Sequence, residues 1–177
     1  MKLAKPTLNN VTGPEYAVFT QALLAAMPRL RRFCYTLTGS YVDADDLLQM
    51  TLERALEKWQ SFEAGTEIQR WLYRVCRNIW IDEVRSSKRR GTSESLDDVD
   101  ELEYAAAGES QLINSLTMDE VAAAMESLSE SQRSILYLVG VDGCSYKDAA
   151  ELLDLPIGTV MSRLARARKN LADVLEL

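Results

Sequence analysis

Apolar residues recur along most of this chain at the three-to-four-residue spacing of amphipathic helices, with no stretch of strand-like alternation. The pattern predicts an all-α protein. Pro14, after Thr12 and Gly13, suits a first helical turn, and Tyr16, Phe19, Leu23 and Met27 continue it. Pro28 is expected to open a second helix that ends at Thr38, before the Gly39–Ser40 break. Asp43 is placed to cap a third helix, with Leu47, Leu48, Leu52, Leu56 and Trp59 on its apolar side. Beyond the loop Gln60–Gly65, Thr66 and Gln69 have the spacing of a capping box. They are expected to start the longest helix, running to about Arg90. Ile68, Leu72, Val75 and Ile79 form its apolar face, while Arg70, Arg74, Arg77, Arg85 and Lys88 share a narrow stripe elsewhere.

The stretch from Gly91 to Ser115 has few bulky apolar residues and no strong period. It reads as a flexible acidic linker, so two cores are expected rather than one. The boundaries follow as 1–90, a linker at 91–116, and 117–177. In the second part, Ser129 and Gln132 form another capping-box pair, before Ile135, Leu136 and Val139. Gly140–Gly143 ends that helix. Ser145 then caps a short helix carrying Asp148, Ala149, Ala150, Leu152 and Leu153. Asp154–Leu155 is a tight turn, and Pro156 precedes a last helix with Ile157, Val160, Met161, Leu164, Leu171 and Leu175 on one face. Thr159, Ser162, Arg163, Arg166 and Lys169 line the other. A short helix with two small residues, a tight turn and a one-sided basic helix make a helix-turn-helix. The plain alternative for a basic face is solvation. The coincidence of cap, Ala-Ala pair, turn and proline favours DNA instead: arginine can fork onto guanine, and Lys169 suits a phosphate.

Charge changes this picture only when it is read locally. The net charge of −7 argues against nucleic acid, yet no Lys or Arg occurs between Gly91 and Gln132. The cations concentrate on the two basic helices, and local field governs binding more than the total. The 177 residues, 47% of them hydrophobic, suffice for one core or two small ones. No apolar run is long enough to span a bilayer, and the N-terminus does not read as a signal peptide, so a cytoplasmic protein without membrane insertion is expected. Histidine is absent, and Cys34, Cys76 and Cys144 lie far apart. No metal site and no cofactor are expected, and the cysteines read as reduced packing residues. No phosphate-cradling glycine motif and no nucleophile–base pair point to an enzyme.

The residues Ser145-Tyr-Lys-Asp-Ala-Ala-Glu-Leu-Leu-Asp-Leu-Pro-Ile-Gly-Thr-Val-Met-Ser-Arg-Leu-Ala-Arg-Ala-Arg168 resemble the fourth-domain motif of extracytoplasmic-function (ECF) sigma factors, in the sigma-70 family of RNA polymerase sigma factors. Asp43-Ala-Asp-Asp-Leu-Leu-Gln49 resembles that family's core-polymerase motif, and Trp71–Arg85 its promoter-melting helix. Met50 stands where the family usually carries an acid after that glutamine. The resemblance implies a protein that binds core RNA polymerase and directs promoter-specific initiation, for a stress or envelope-signal regulon. It implies polymerase contacts from Asp43, Asp45, Asp46, Leu47, Gln49 and Arg54. Minus-ten contacts would come from Phe62, Arg70, Arg74, Arg77, Asn78 and Arg85, and minus-thirty-five contacts from Thr159, Ser162, Arg163, Arg166 and Lys169. Promoter DNA, core polymerase and an anti-sigma factor are the implied partners. The acidic linker, which the family passes toward the RNA path, would act as an RNA mimic or as a simple tether. A stand-alone helix-turn-helix regulator would explain the C-terminal motif but not Asp43–Gln49. A sigma mimic that sequesters an anti-sigma factor fits poorly with intact basic residues on both helices.

Overall fold

The computed structural model describes residues 13–63, 65–89, 124–125 and 127–175; the linker expected at 91–116 lies outside them. The described elements are helical, and no strand occurs among them. Three helices form the first module: α1 (Pro14–Thr38), α2 (Tyr41–Glu57) and α3 (Ile68–Arg89). The second holds α4 (Glu130–Leu136), α5 (Tyr146–Leu153) and α6 (Ile157–Val174).

The break expected at Pro28 does not occur, because α1 runs through it. A proline inside a helix removes one N–H bond, here to the carbonyl of Leu24, at about 3 kcal/mol. Both Pro28 and Leu24 are exposed, so the break in the hydrogen-bond ladder lies on the solvent side of the helix. On the opposite side Phe19, Leu23, Ala26, Leu30, Phe33 and Leu37 form one unbroken buried row, and packing outweighs the proline. The helix ends at Gly39, whose φ of 70° is left-handed and whose N–H reaches the Tyr35 carbonyl.

Two further caps differ from expectation. Ser40, not Asp43, caps α2: its hydroxyl accepts from the Asp43 N–H. Asp43 sits one turn inside, where its carboxylate still favours the helix N-terminus. Thr66 and Gln69 make no capping box. The Thr66 hydroxyl donates to the Glu63 carbonyl at 2.8 Å, and α3 starts at Ile68. Gln69 instead joins Leu72, Tyr73, Cys76 and Ile79 on the buried face, so its side chain is turned away from the helix start.

In the second module the expected caps form. Ser129 and Gln132 make a reciprocal capping box at α4, which continues into one π-helical turn, Tyr137–Val141. Ser145 accepts from the Asp148 N–H to start α5. Asp154 ends it in the left-handed region, at φ 50°, and Pro156 precedes α6. Ala149 is fully buried and Ala150 nearly so, beside Val160, Leu164 and Ala167 of α6.

The two helical domains meet in this structure: one buried cluster runs through both modules. Tyr137 carries it across, with its ring centroid 6.3 Å from Phe33 and 6.5 Å from Tyr73, and its hydroxyl donating to the Arg29 carbonyl at 3.0 Å. Helical periodicity reveals that each module has an apolar face; it does not encode that the two faces meet.

Candidate nucleic-acid interface

The basic face of α6 is set by its packing. Val160, Leu164 and Ala167 are buried, which turns Thr159, Ser162, Arg163, Arg166 and Lys169 away from them. At 100° per residue these five fall within an arc of about 120°. Thr159, Ser162, Arg163 and Arg166 are half-buried, and Lys169 is exposed. The Ser162 hydroxyl donates to the Thr159 carbonyl at 3.1 Å, an internal helix bond that orients it along the face.

The stripe on α3 is built the same way. Burial of Gln69, Leu72, Tyr73, Cys76 and Ile79 points Arg70, Arg74, Arg77, Asn78 and Arg85 to one side, within an arc of about 100°. Three of these arginines are already engaged. Arg70 pairs with Glu67 at 2.8 Å and grips Asp148 through two bonds of 2.7 and 3.0 Å. Arg74 lies 3.7 Å from Glu151. Arg77 donates to the Leu153 carbonyl, one of the orphan acceptors at the end of α5. Its half-burial lowers the guanidinium pKa below the usual arginine value. The Asp148 carboxyl is held below its ordinary range, first by the Ser145 hydroxyl and then by Arg70. Asn78 and Arg85 are exposed. Sequence reasoning cast Asp148 only as part of a cap and missed Glu151 altogether. The available signal was an acidic pair three residues apart on the short helix of the helix-turn-helix.

Phe62 is not a free loop side chain. It is half-buried, with ring centroids 5.8 Å from Phe19 and 5.7 Å from Trp71, and Trp59 closes the same cluster against Tyr16 at 5.4 Å. These aromatic contacts hold Trp59 and Phe62 against α1, and Phe62 against α3.

On α2, Asp43, Asp45, Asp46, Gln49 and Arg54 are exposed. Arg31 binds Asp45 through bonds of 2.6 and 2.9 Å and holds that carboxyl below the ordinary carboxylate range. Gln49 donates to Glu53 at 3.0 Å, and Arg54 lies 3.7 Å from Glu57. Leu47 differs from its neighbours: it is 3% exposed and belongs to the core, so it supports this face instead of lying on it. Val42, Met50 and Leu56, which sequence reasoning did not assign to the face, are exposed on the same helix.

Among the described residues, no group of His, Cys, Asp and Glu is arranged to hold a metal ion, and no helix is long and apolar enough to cross a membrane. Two docked helical modules, one ending in a helix-turn-helix and each carrying a one-sided basic helix, define a DNA-binding protein class. The Sigma-70 region 2 family model matches residues 23–90, and the Sigma-70 region 4 model matches residues 118–171. The ECF RNA polymerase sigma factor EcfG of Rhodopseudomonas palustris is 40% identical over 155 residues, covering 86% of this chain and 82% of its own length. SigM of Mycobacterium tuberculosis is 32% identical over 166 residues, covering 94% of this chain and 81% of its own. The sigma factor RpoE of Bartonella quintana, solved in complex with the anti-sigma factor NepR, superposes with a TM-score of 0.70 at 34% identity, covering 90% of this chain and 98% of that one. The chain belongs to the ECF RNA polymerase sigma factors, proteins that direct promoter-specific transcription initiation.

Proposed function

We propose that this sigma factor divides its work among three surfaces. The exposed α2 residues Asp43, Asp45, Asp46, Gln49 and Arg54 dock on core RNA polymerase, with Val42 and Met50 adding apolar area and Leu47 fixing the helix from beneath. The α3 stripe, with Arg70, Arg74, Arg77, Asn78 and Arg85, follows the minus-ten strand, and the Phe62 cluster sets the loop before it. The α6 face, with Thr159, Ser162, Arg163, Arg166 and Lys169, enters the groove at the minus-thirty-five element. Residues 1–90 and 117–177 act as the two anchors, and 91–116 joins them. The protein works in the cytoplasm without catalysis of its own, and the chemistry of RNA synthesis belongs to polymerase.

The observation that carries this reading is the pair of one-sided basic stripes on separate modules, beside an acidic and apolar face on α2. Solved likeness to a sigma factor in complex with the anti-sigma factor NepR supports an anti-sigma factor as a further partner. Run-off transcription with purified core polymerase on a randomised promoter library tests the reading. The expected result is transcripts from templates enriched in two separated motifs. Transcription without enrichment, or none above core polymerase alone, contradicts it. Retention of core polymerase on the immobilised chain separates a sigma factor from a stand-alone regulator, which would retain none.

A further inference from the structure

The core of the first module holds two thiols that neither the polymerase face nor the DNA faces use. Cys34 of α1 and Cys76 of α3 are 42 positions apart in sequence, yet their sulfurs lie 3.5 Å from each other and both side chains are fully buried. We propose that this pair is a modification site for hydroperoxides, at which oxidation to a disulfide staples α1 to α3.

Helix packing holds the two sulfurs together. Leu30, Phe33 and Leu37 accompany Cys34 on the buried row of α1, and Leu72, Tyr73 and Ile79 accompany Cys76 on that of α3. The Phe33 and Tyr73 rings meet at 4.4 Å between centroids, which sets the register of the two helices at this level. A disulfide would bring the sulfurs from 3.5 Å to about 2.05 Å, a shift that side-chain rotation and a slight approach of the helices supply. The third cysteine, Cys144, belongs to the second module, where its thiol donates to the Asp142 carboxylate at 3.8 Å. It stands outside the pair and serves as an internal reference.

The chemistry needs a hydroperoxide as its one co-reactant. One sulfur attacks a peroxide oxygen; the O–O bond breaks, an alcohol leaves (water, where the oxidant is hydrogen peroxide), and a sulfenic acid forms. The other sulfur, already in contact, attacks the sulfenic sulfur. The S–O bond breaks, and hydroxide leaves as water with the proton of the second thiol. Two thiols and one hydroperoxide thus give one disulfide, one alcohol and one water. The sulfurs lose two electrons and the O–O bond gains them.

The site is slow by construction. The hydrogen bond with Cys76, then burial, pushes the Cys34 thiol up, and thiolate is the reactive form. Oxidation therefore passes through transient openings of the module, over about minutes to hours. In a thiol-reducing compartment the pair stays reduced, and only sustained oxidant forms the bridge. The bridge closes a loop of about 40 residues that contains all of α2. The unfolded chain then loses conformations, and the first module gains stability. The residues assigned above to polymerase and DNA lie elsewhere on these helices, so the bridge leaves them chemically unaltered.

The test uses the full-length wild-type chain, reduced and then freed of reductant. It is held in excess hydrogen peroxide through a time course, denatured, alkylated and digested with trypsin without reduction. The expected result is peptide 33–54 joined to peptide 75–77 through Cys34 and Cys76, with Cys144 alkylated. The thermal midpoint of the oxidised chain should lie about 5 °C or more above that of the reduced chain. Dithiothreitol should return it to the reduced value, which a shift caused by methionine oxidation would not do. Cys34 and Cys76 recovered as alkylated thiols at the end of the time course, or as separate sulfinic acids, overturn the site. A bridge through Cys144, within or between chains, overturns the pairing. A bridge that leaves the midpoint unchanged or lower overturns the staple. None of these readouts involves polymerase or DNA, so failure here is distinct from failure of the functional reading.

Discussion

The α2 face and the α3 stripe lie on adjacent helices of one module, yet they stand in opposite states. The acids of α2 are exposed, with Asp45 held by Arg31 and the others facing solvent. Three arginines of α3, Arg70, Arg74 and Arg77, meet a helix of the other module, while Arg85 is exposed. Both surfaces were legible as charge patterns, but only the structure separates an open one from an occupied one.

The largest effect is expected where the two modules share a core. Phe33 is fully buried, below Tyr73 at 4.4 Å and Tyr137 at 6.3 Å. Phe33→Ala should cost about 3–5 kcal/mol in denaturant unfolding and loosen both surfaces together. A loss below about 1 kcal/mol would mean that the modules do not share this core. Next come the recognition arginines. Arg163→Ala and Arg166→Ala should each cost about 1–3 kcal/mol in promoter binding by the holoenzyme if they read bases. Wild-type affinity in both variants would remove α6 from the DNA interface.

Gly39→Ala is expected to cost about 1–2 kcal/mol, from the left-handed φ of 70° and the close Arg133 guanidinium. Thermal unfolding reads it, and an unchanged midpoint would contradict the packing at that corner. Smaller still is the titration of Asp148. Its folded pKa lies below the ordinary value of about 3.9, so its contribution is complete above that pH and fades only as pH falls through the lowered folded value. Carboxyl-resolved NMR should find no change from pH 8 to 5. Ser145→Ala should move the midpoint upward, since that hydroxyl is the largest cause. The smallest effect is on salt dependence: Lys169→Ala should reduce the salt slope of promoter binding by about one if the lysine meets a phosphate.

Local signals in the sequence carried most of the second module. Ser129 with Gln132, Ser145 before the Ala-Ala pair, and the Asp154 turn each act through their own backbone neighbours, so residue type and spacing suffice. The same logic failed at Pro28 and Gln69, where the buried row decided and local preference lost. Phe62 and Leu47 illustrate a related limit for the site. A loop aromatic and a motif leucine look alike in sequence whether they face solvent or the core, and here packing draws both inward. The occupied stripe was illegible for a further reason: Arg70 and Asp148 are 78 positions apart, and no periodic pattern links them.

The central claim is that α3 and α6 are two anchors on one promoter. It is tested most directly by mapping where each sits on DNA. Exposed Gln60, beside α3, and exposed Asn170, on α6, are each replaced by cysteine in separate proteins. The native Cys34, Cys76 and Cys144 are buried, and burial pushes the Cys144 thiol up to about 11, so a tethered iron chelate reacts selectively at the new site. In the promoter-bound holoenzyme, the account predicts cleavage near minus ten from position 60 and near minus thirty-five from position 170, about 25 base pairs apart. Overlapping cleavage from both positions, or none from either, would contradict it.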